Sequence, residues 1–63
     1  MDPEEEFLEN AYTMTNFARQ EIQQFITWTN KQASYGQAAN ALLVKLENLS
    51  LEIKALKKEY EIR

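Results

Sequence analysis

The stretch that decides the fold is YGQAANALLVKLENLSLEIKALKKEY, residues 35–60. Its apolar residues are spaced alternately four and three apart: Tyr35, Ala39, Leu42, Leu46, Leu49, Ile53, Leu56 and Tyr60. This spacing is a heptad repeat with apolar a and d positions, which is typical of helices that pack along one another. The stretch therefore predicts a long amphipathic helix in a coiled coil or helical bundle.

The same register continues toward the N-terminus with only two polar exceptions, Glu21 and Gln32. Ile22 lies beside Glu21 and can take its place in the stripe. Further apolar residues lie off the stripe and widen the apolar surface beyond the seam of a two-stranded coil. They are Leu8, Tyr12, Phe17, Ile26, Leu43, Val44 and Leu51. We therefore expect three or four packed helices rather than two.

The middle of the chain leaves two alternatives open. Residues 27–37 are rich in poor helix formers, and Gly36 costs about 1 kcal/mol relative to alanine inside a helix. Because the heptad phase carries through this region, it favours one continuous helix. The alternative is a helical hairpin, broken near 33–37, with arms at 3–31 and 37–62; Ser34 and Gln37 have the spacing of a capping box for its second arm.

The N-terminal residues predict where the first helix begins. Asp2 can accept a hydrogen bond as N-cap, Pro3 suits the first helical position, and Glu5 has the spacing of a capping box. The initiating methionine and this cap suggest a genuine N-terminus.

Composition narrows the classes of function. The 63 residues form at most one module, 1–63, and they include no cysteine and no histidine. Disulfides, the ordinary zinc sites and most nucleophilic schemes are therefore not expected, and a single glycine cannot form a phosphate-binding loop. We expect no enzyme activity, no cofactor and no metal site. Because no apolar run spans a bilayer and no signal peptide is recognisable, a cytoplasmic or nuclear protein is expected.

Charge bears on the partners. The net charge is −3, with −4 in residues 1–31 and +1 in residues 32–63. Neither a nucleic acid nor an anionic membrane is an expected partner, because the chain has no basic face and its first half is acidic. Antiparallel packing brings the acidic residues 4–6 toward Lys57, Lys58 and Arg63, so antiparallel partner helices are slightly favoured.

Gln32 stands at an a position, with seven stripe positions before it and eight after it. This count resembles the layered core of SNARE motifs, which carry a central glutamine; Trp28, Tyr35 and Glu21 depart from such cores. The resemblance implies a membrane-trafficking helix as an alternative function. We favour the simpler interpretation that Gln32 lies at a helix break or in a loosened layer.

The sequence thus predicts a non-catalytic module for protein–protein assembly, which buries its stripe against a second copy or another protein. A surface-active amphipathic helix is a further alternative. The predicted interface residues are Phe25, Trp28, Gln32, Tyr35, Leu42, Leu46, Leu49, Ile53, Leu56 and Tyr60.

Overall fold

The computed structural model describes residues 2–62, which form two helices and no strand. Helix α1 spans Pro3–Trp28 and helix α2 spans Ser34–Glu61, and they pack side by side in opposite directions. The resulting rod measures 46 × 15 × 11 Å. The all-α class is confirmed, and the chain takes the hairpin form rather than the continuous helix that the heptad phase favoured. The break lies at residues 29–33, not at 33–37.

The start of α1 agrees with the sequence prediction. Asp2 has an extended backbone, and its Oδ1 accepts a hydrogen bond of 2.7 Å from the Glu5 amide. Pro3 is the first helical residue, where its missing amide hydrogen costs nothing. Glu4, Glu5 and Glu6 lie in the first turn, near the positive end of the helix dipole.

A short turn joins the helices. Asn30 organises it, because its Oδ1 accepts from the Gln32 amide and its carbonyl oxygen accepts from the Ala33 amide. Ala33 occupies the N-cap position of α2 and provides no side-chain cap. The predicted capping box at Ser34 is therefore not formed, since Ser34 is already inside the helix.

Gly36 permits the turn to fold back closely on α2. It is buried, and a Cβ atom at this position would lie 2.5 Å from the Asn30 carbonyl oxygen and 3.0 Å from the Lys31 Cα. Both neighbours are backbone atoms that cannot move aside independently. The glycine that the sequence marks as a weak helix former is thus required by the close approach of the turn.

The seam between the helices also follows three–four spacing, in a phase that only partly matches the predicted stripe. On α2 the buried or half-buried residues are Gly36, Ala39, Leu43, Leu46, Ser50, Ile53, Lys57 and Tyr60. On α1 the half-buried set includes Leu8, Tyr12, Thr15, Arg19, Ile22 and Ile26. The seam therefore uses half of the predicted α2 stripe and leaves the other half outside it. Within residues 2–62, neither helix is long and apolar enough to cross a bilayer.

Candidate interaction surface

A polar pair lies in the middle of the seam. Ser50 is 7% exposed, and its hydroxyl donates a hydrogen bond of 2.6 Å to Oδ1 of Asn16. A buried hydroxyl without a partner is costly, so sliding one helix along the other would carry a penalty. The pair therefore favours the register in which Ser50 faces Asn16.

An ion pair joins the two helices near the open end of the hairpin, away from the turn. Lys57 Nζ lies 2.7 Å from Glu9 Oε2 and 5.1 Å from the centre of the Tyr12 ring. The hydrogen bond to the Glu9 carboxylate, supported by the charges of Glu9 and Glu61, raises the pKa of Lys57 above its usual value. The antiparallel contact expected for the acidic first turn is thus made one turn later in α1, by Glu9. Of the two other expected basic partners, Lys58 is exposed and Arg63 lies outside the described residues.

One long side of the hairpin carries a continuous row of exposed apolar side chains from both helices. We call it the apolar face and define it by Phe7, Met14, Phe25, Tyr35, Leu42, Leu49 and Leu56. These side chains are 44% to 71% exposed. The four from α2 are seven residues apart. Those from α1 are seven and eleven residues apart, which is close to two and three helical turns, so each set lies along one side of its helix.

The end of the apolar face near the turn shows that both rows lie on the same side. Phe25 and Ile22 of α1 line one shallow groove together with Tyr35, Ala38 and Leu42 of α2. The Phe25 and Tyr35 rings meet edge to face, with centroids 6.3 Å apart and planes inclined by 64°. This aromatic contact ties the two rows together at the start of the face.

The opposite long side is mostly polar, and we call it the polar face. Its groove is lined by Asn16, Arg19, Glu47, Lys54 and Leu51, together with the seam residues Tyr12 and Ser50. Leu51 is 66% exposed there, and Val44, seven residues earlier, is also exposed. These isolated apolar side chains stand among charged ones, which is normal for a protein surface.

The predicted interface residues lie in the seam, on the apolar face, or at the end of the hairpin where the turn is. Leu46, Ile53 and Tyr60 are half-buried in the seam, whereas Phe25, Tyr35, Leu42, Leu49 and Leu56 lie on the apolar face. Trp28 is the last residue of α1 and is 84% exposed, so it packs into no core of the hairpin. Gln32 lies in the turn, where only its backbone is hydrogen-bonded.

Sequence reasoning missed the positions that complete the seam. Gly36, Ser50 and Lys57 carry no hydrophobic signal, and Leu43 lies off the predicted stripe. Their common seven-residue spacing, one residue after the predicted row at 35, 42, 49 and 56, was the only available sign. On α1, the off-stripe residues Leu8, Tyr12 and Ile26 together with Ile22 gave a clearer signal.

Comparison with protein families, with curated proteins and with solved structures finds no match to this chain. Among residues 2–62, no three carboxylates come close enough together to hold a metal ion.

Proposed function

We propose that this protein is a non-catalytic assembly module, which buries its apolar face against the helices of a binding partner. The observation that carries the proposal is the contrast between its surface and its interior. Seven large apolar side chains are exposed along one side, while Ala39 is the only buried hydrophobic residue among residues 2–62. The described part of the chain contains no large side chain that is fully buried.

The size of the exposed surface supports an interface. A folded monomer of 7.4 kDa ordinarily exposes about 4,200 Å², and this hairpin exposes 5014 Å². From aromatic side-chain areas of roughly 150–250 Å², and somewhat less for leucine and methionine, the exposed fractions give about 700 Å² of apolar surface on the face. Monomers rarely leave a patch of that size in water, and a standard interface buries about that much per partner.

The alternatives gain no support from the geometry. A SNARE-like central layer needs its glutamine inside a helix, and Gln32 lies in the turn. A helix on an anionic membrane is favoured by a basic border around its apolar side. The border of the apolar face is instead mostly acidic, because the helical spacing places Glu21, Glu52 and Glu59 beside the face, with Lys45 as the basic residue among them.

A matched pair of substitutions tests the proposal. Leu49 and Leu51 lie on the same helix two residues apart, 48% and 66% exposed, one on the apolar face and one on the polar face. We expect Leu49→Ala to lower the mass of the assembly in sedimentation and its melting temperature, and Leu51→Ala to change neither.

If the partner is a different protein, the purified chain is a monomer, and the readout becomes the binding of a fluorescent apolar dye. Leu49→Ala should then reduce dye binding more than Leu51→Ala does. Equal behaviour of the two variants in sedimentation, melting and dye binding would show that the apolar face is not an interface.

A further inference from the structure

We infer that the partner on the apolar face is a second copy of this chain, related by a two-fold axis along the length of the hairpin. This inference rests on the proposed function and names the occupant of the same face. In the dimer, α1 of each copy lies on α2 of the other, and both turns are at the same end. The product is a four-helix bundle in which every stacked pair of helices is antiparallel.

The register of the hairpin determines which residues meet in this dimer. Ser50 faces Asn16, and Lys57 faces Glu9, so a seven-residue step along α2 matches a seven-residue step back along α1. Rotation about the long axis turns the hairpin over but leaves each residue at its own level along that axis. An α1 residue that is level with a given α2 residue inside one hairpin is therefore also level with that same α2 residue of the second copy, and in the dimer the two meet.

The same register brings opposite charges of the two copies together. Five residues from the Ser50–Asn16 pair toward the turn, Lys45 on α2 is level with Glu21 on α1. The helical spacing places both at the outer edge of the apolar face, on opposite sides of one hairpin. In the dimer each Lys45 comes to the same edge as Glu21 of the other copy, which gives two symmetric ion pairs. Glu21, the misfit of the predicted stripe, thereby gains a partner.

Side-chain sizes are also complementary. The α1 row contains two small residues, Ala11 and Ala18, between its large ones. The same register places Ala18 within one residue of the level of Leu49, and Ala11 within one residue of the level of Leu56. At the turn end, Trp28 is level with Ala38. Large side chains of one copy thus meet small ones of the other, as close packing between helices requires.

The area is sufficient for a stable dimer. About 700 Å² of apolar surface per copy is close to the standard interface of roughly 800 Å² per partner. Two copies meeting on this face would also give the three or four packed helices that the width of the apolar pattern predicts.

Two measurements on the intact chain test the inference. Sedimentation should give twice the chain mass of 7.4 kDa. The chain has no cysteine, so Gln32→Cys in the exposed turn allows a single spin label per copy. With both turns at one end, the label-to-label distance should be below about 30 Å, because helices in a bundle lie only 8–10 Å apart. A distance near the 46 Å length of the rod would show that the copies are reversed, and would overturn the axis.

Charge exchange provides a second test that does not disturb the fold, because both residues are exposed. We expect Lys45→Glu to weaken the dimer about three- to tenfold, since two attractive contacts become repulsive. Adding Glu21→Lys to that variant should restore the affinity. If Glu52→Lys restores it instead, α2 meets α2 of the other copy and the proposed axis is wrong.

Failure of this inference is distinguishable from failure of the proposed function. A monomeric wild-type chain overturns the second copy as occupant. If Leu49→Ala then still reduces dye binding more than Leu51→Ala, the apolar face remains an interface for a different protein. If the two variants behave alike, both proposals fail.

Discussion

The apolar face and the polar face are built from the same two helices, and each follows a seven-residue spacing along α2. On one side that spacing selects Tyr35, Leu42, Leu49 and Leu56; on the other it selects Val44, Leu51 and Lys58, next to Glu47 and Lys54. Both sides expose leucine, and the polar face does so to the greater degree. The difference lies in continuity, because the apolar face carries an unbroken row of large apolar side chains along α2, whereas Leu51 lies among Arg19, Glu47 and Lys54.

This comparison shows why exposure of a single residue says little about function. Leu51 is more exposed than Leu49, yet it lines a groove with Arg19, Glu47 and Lys54. Leu49 belongs to a row that continues along α2 and, at the turn, onto α1. An interface requires a continuous patch that excludes water, and scattered apolar residues do not form one.

The largest expected effect comes from removing one large side chain from the apolar face. Leu42 and Val44 are 44% and 57% exposed and two residues apart on α2, one on each face. In an assembly that buries the apolar face, Leu42→Ala should lower the free energy of unfolding by about 2–5 kcal/mol. Val44→Ala should change it by less than about 0.5 kcal/mol, since it removes an exposed side chain. Chemical denaturation at fixed protein concentration measures both, and equal effects would contradict the distinction between the faces.

A smaller effect is expected at the turn that holds the two rows side by side. Gly36→Ala places a methyl group 2.5 Å from the Asn30 carbonyl oxygen. Overpacking costs about 1–3 kcal/mol, and the better helix propensity of alanine offsets about 1 kcal/mol of it. We expect a net loss of up to about 2 kcal/mol in the free energy of unfolding. Asn48→Ala, at an exposed position of the same helix, is the control and should be neutral or slightly stabilising. A stabilising Gly36→Ala would mean that the turn does not approach α2 so closely.

Much of the fold could be predicted because it depends on local signals. Asp2 caps α1 as the sequence indicates, and the three–four spacing identifies the helical class. The break was harder to place. Asn30 and Gly36 make a turn through one side-chain hydrogen bond and one close approach, and neither leaves a strong pattern in a single sequence.

The division of the predicted stripe could not be read from hydrophobicity. Leu46 and Ile53 enter the seam, while Leu49 and Leu56, three residues after each, stay outside it. Once the chain folds back on itself, two apolar surfaces compete for the seam. The row of α2 positions that includes Gly36 and Ser50 lies against α1. Gly36 is small enough for the close approach of the turn, and the Ser50 hydroxyl donates a hydrogen bond to Asn16. The assignment of the remaining residues to an interface stays a prediction.

The polar pair inside the seam should contribute less than either change above. Ser50→Ala removes the hydroxyl that donates to Asn16 and leaves that amide oxygen half-buried. We expect a loss of about 1 kcal/mol in the free energy of unfolding. A double-mutant cycle with Asn16→Ala should give a coupling of about 0.5–1.5 kcal/mol. Additive effects of the two substitutions would show that the hydrogen bond does not contribute to the register.

The smallest expected effect is at the open end of the hairpin and depends on pH. The hydrogen bond to Glu9 raises the pKa of Lys57, so folding favours its charged form. Its contribution to stability is therefore complete below the unfolded pKa of about 10.4 and is lost as the pH rises through the higher folded pKa. Melting temperatures from about pH 8 to pH 12 should show Lys57→Met less stable than wild type at the lower end and converging with it at the upper end. Lys54→Met, on the polar face, is the control; if it converges with wild type in the same way, the contact with Glu9 is not the cause.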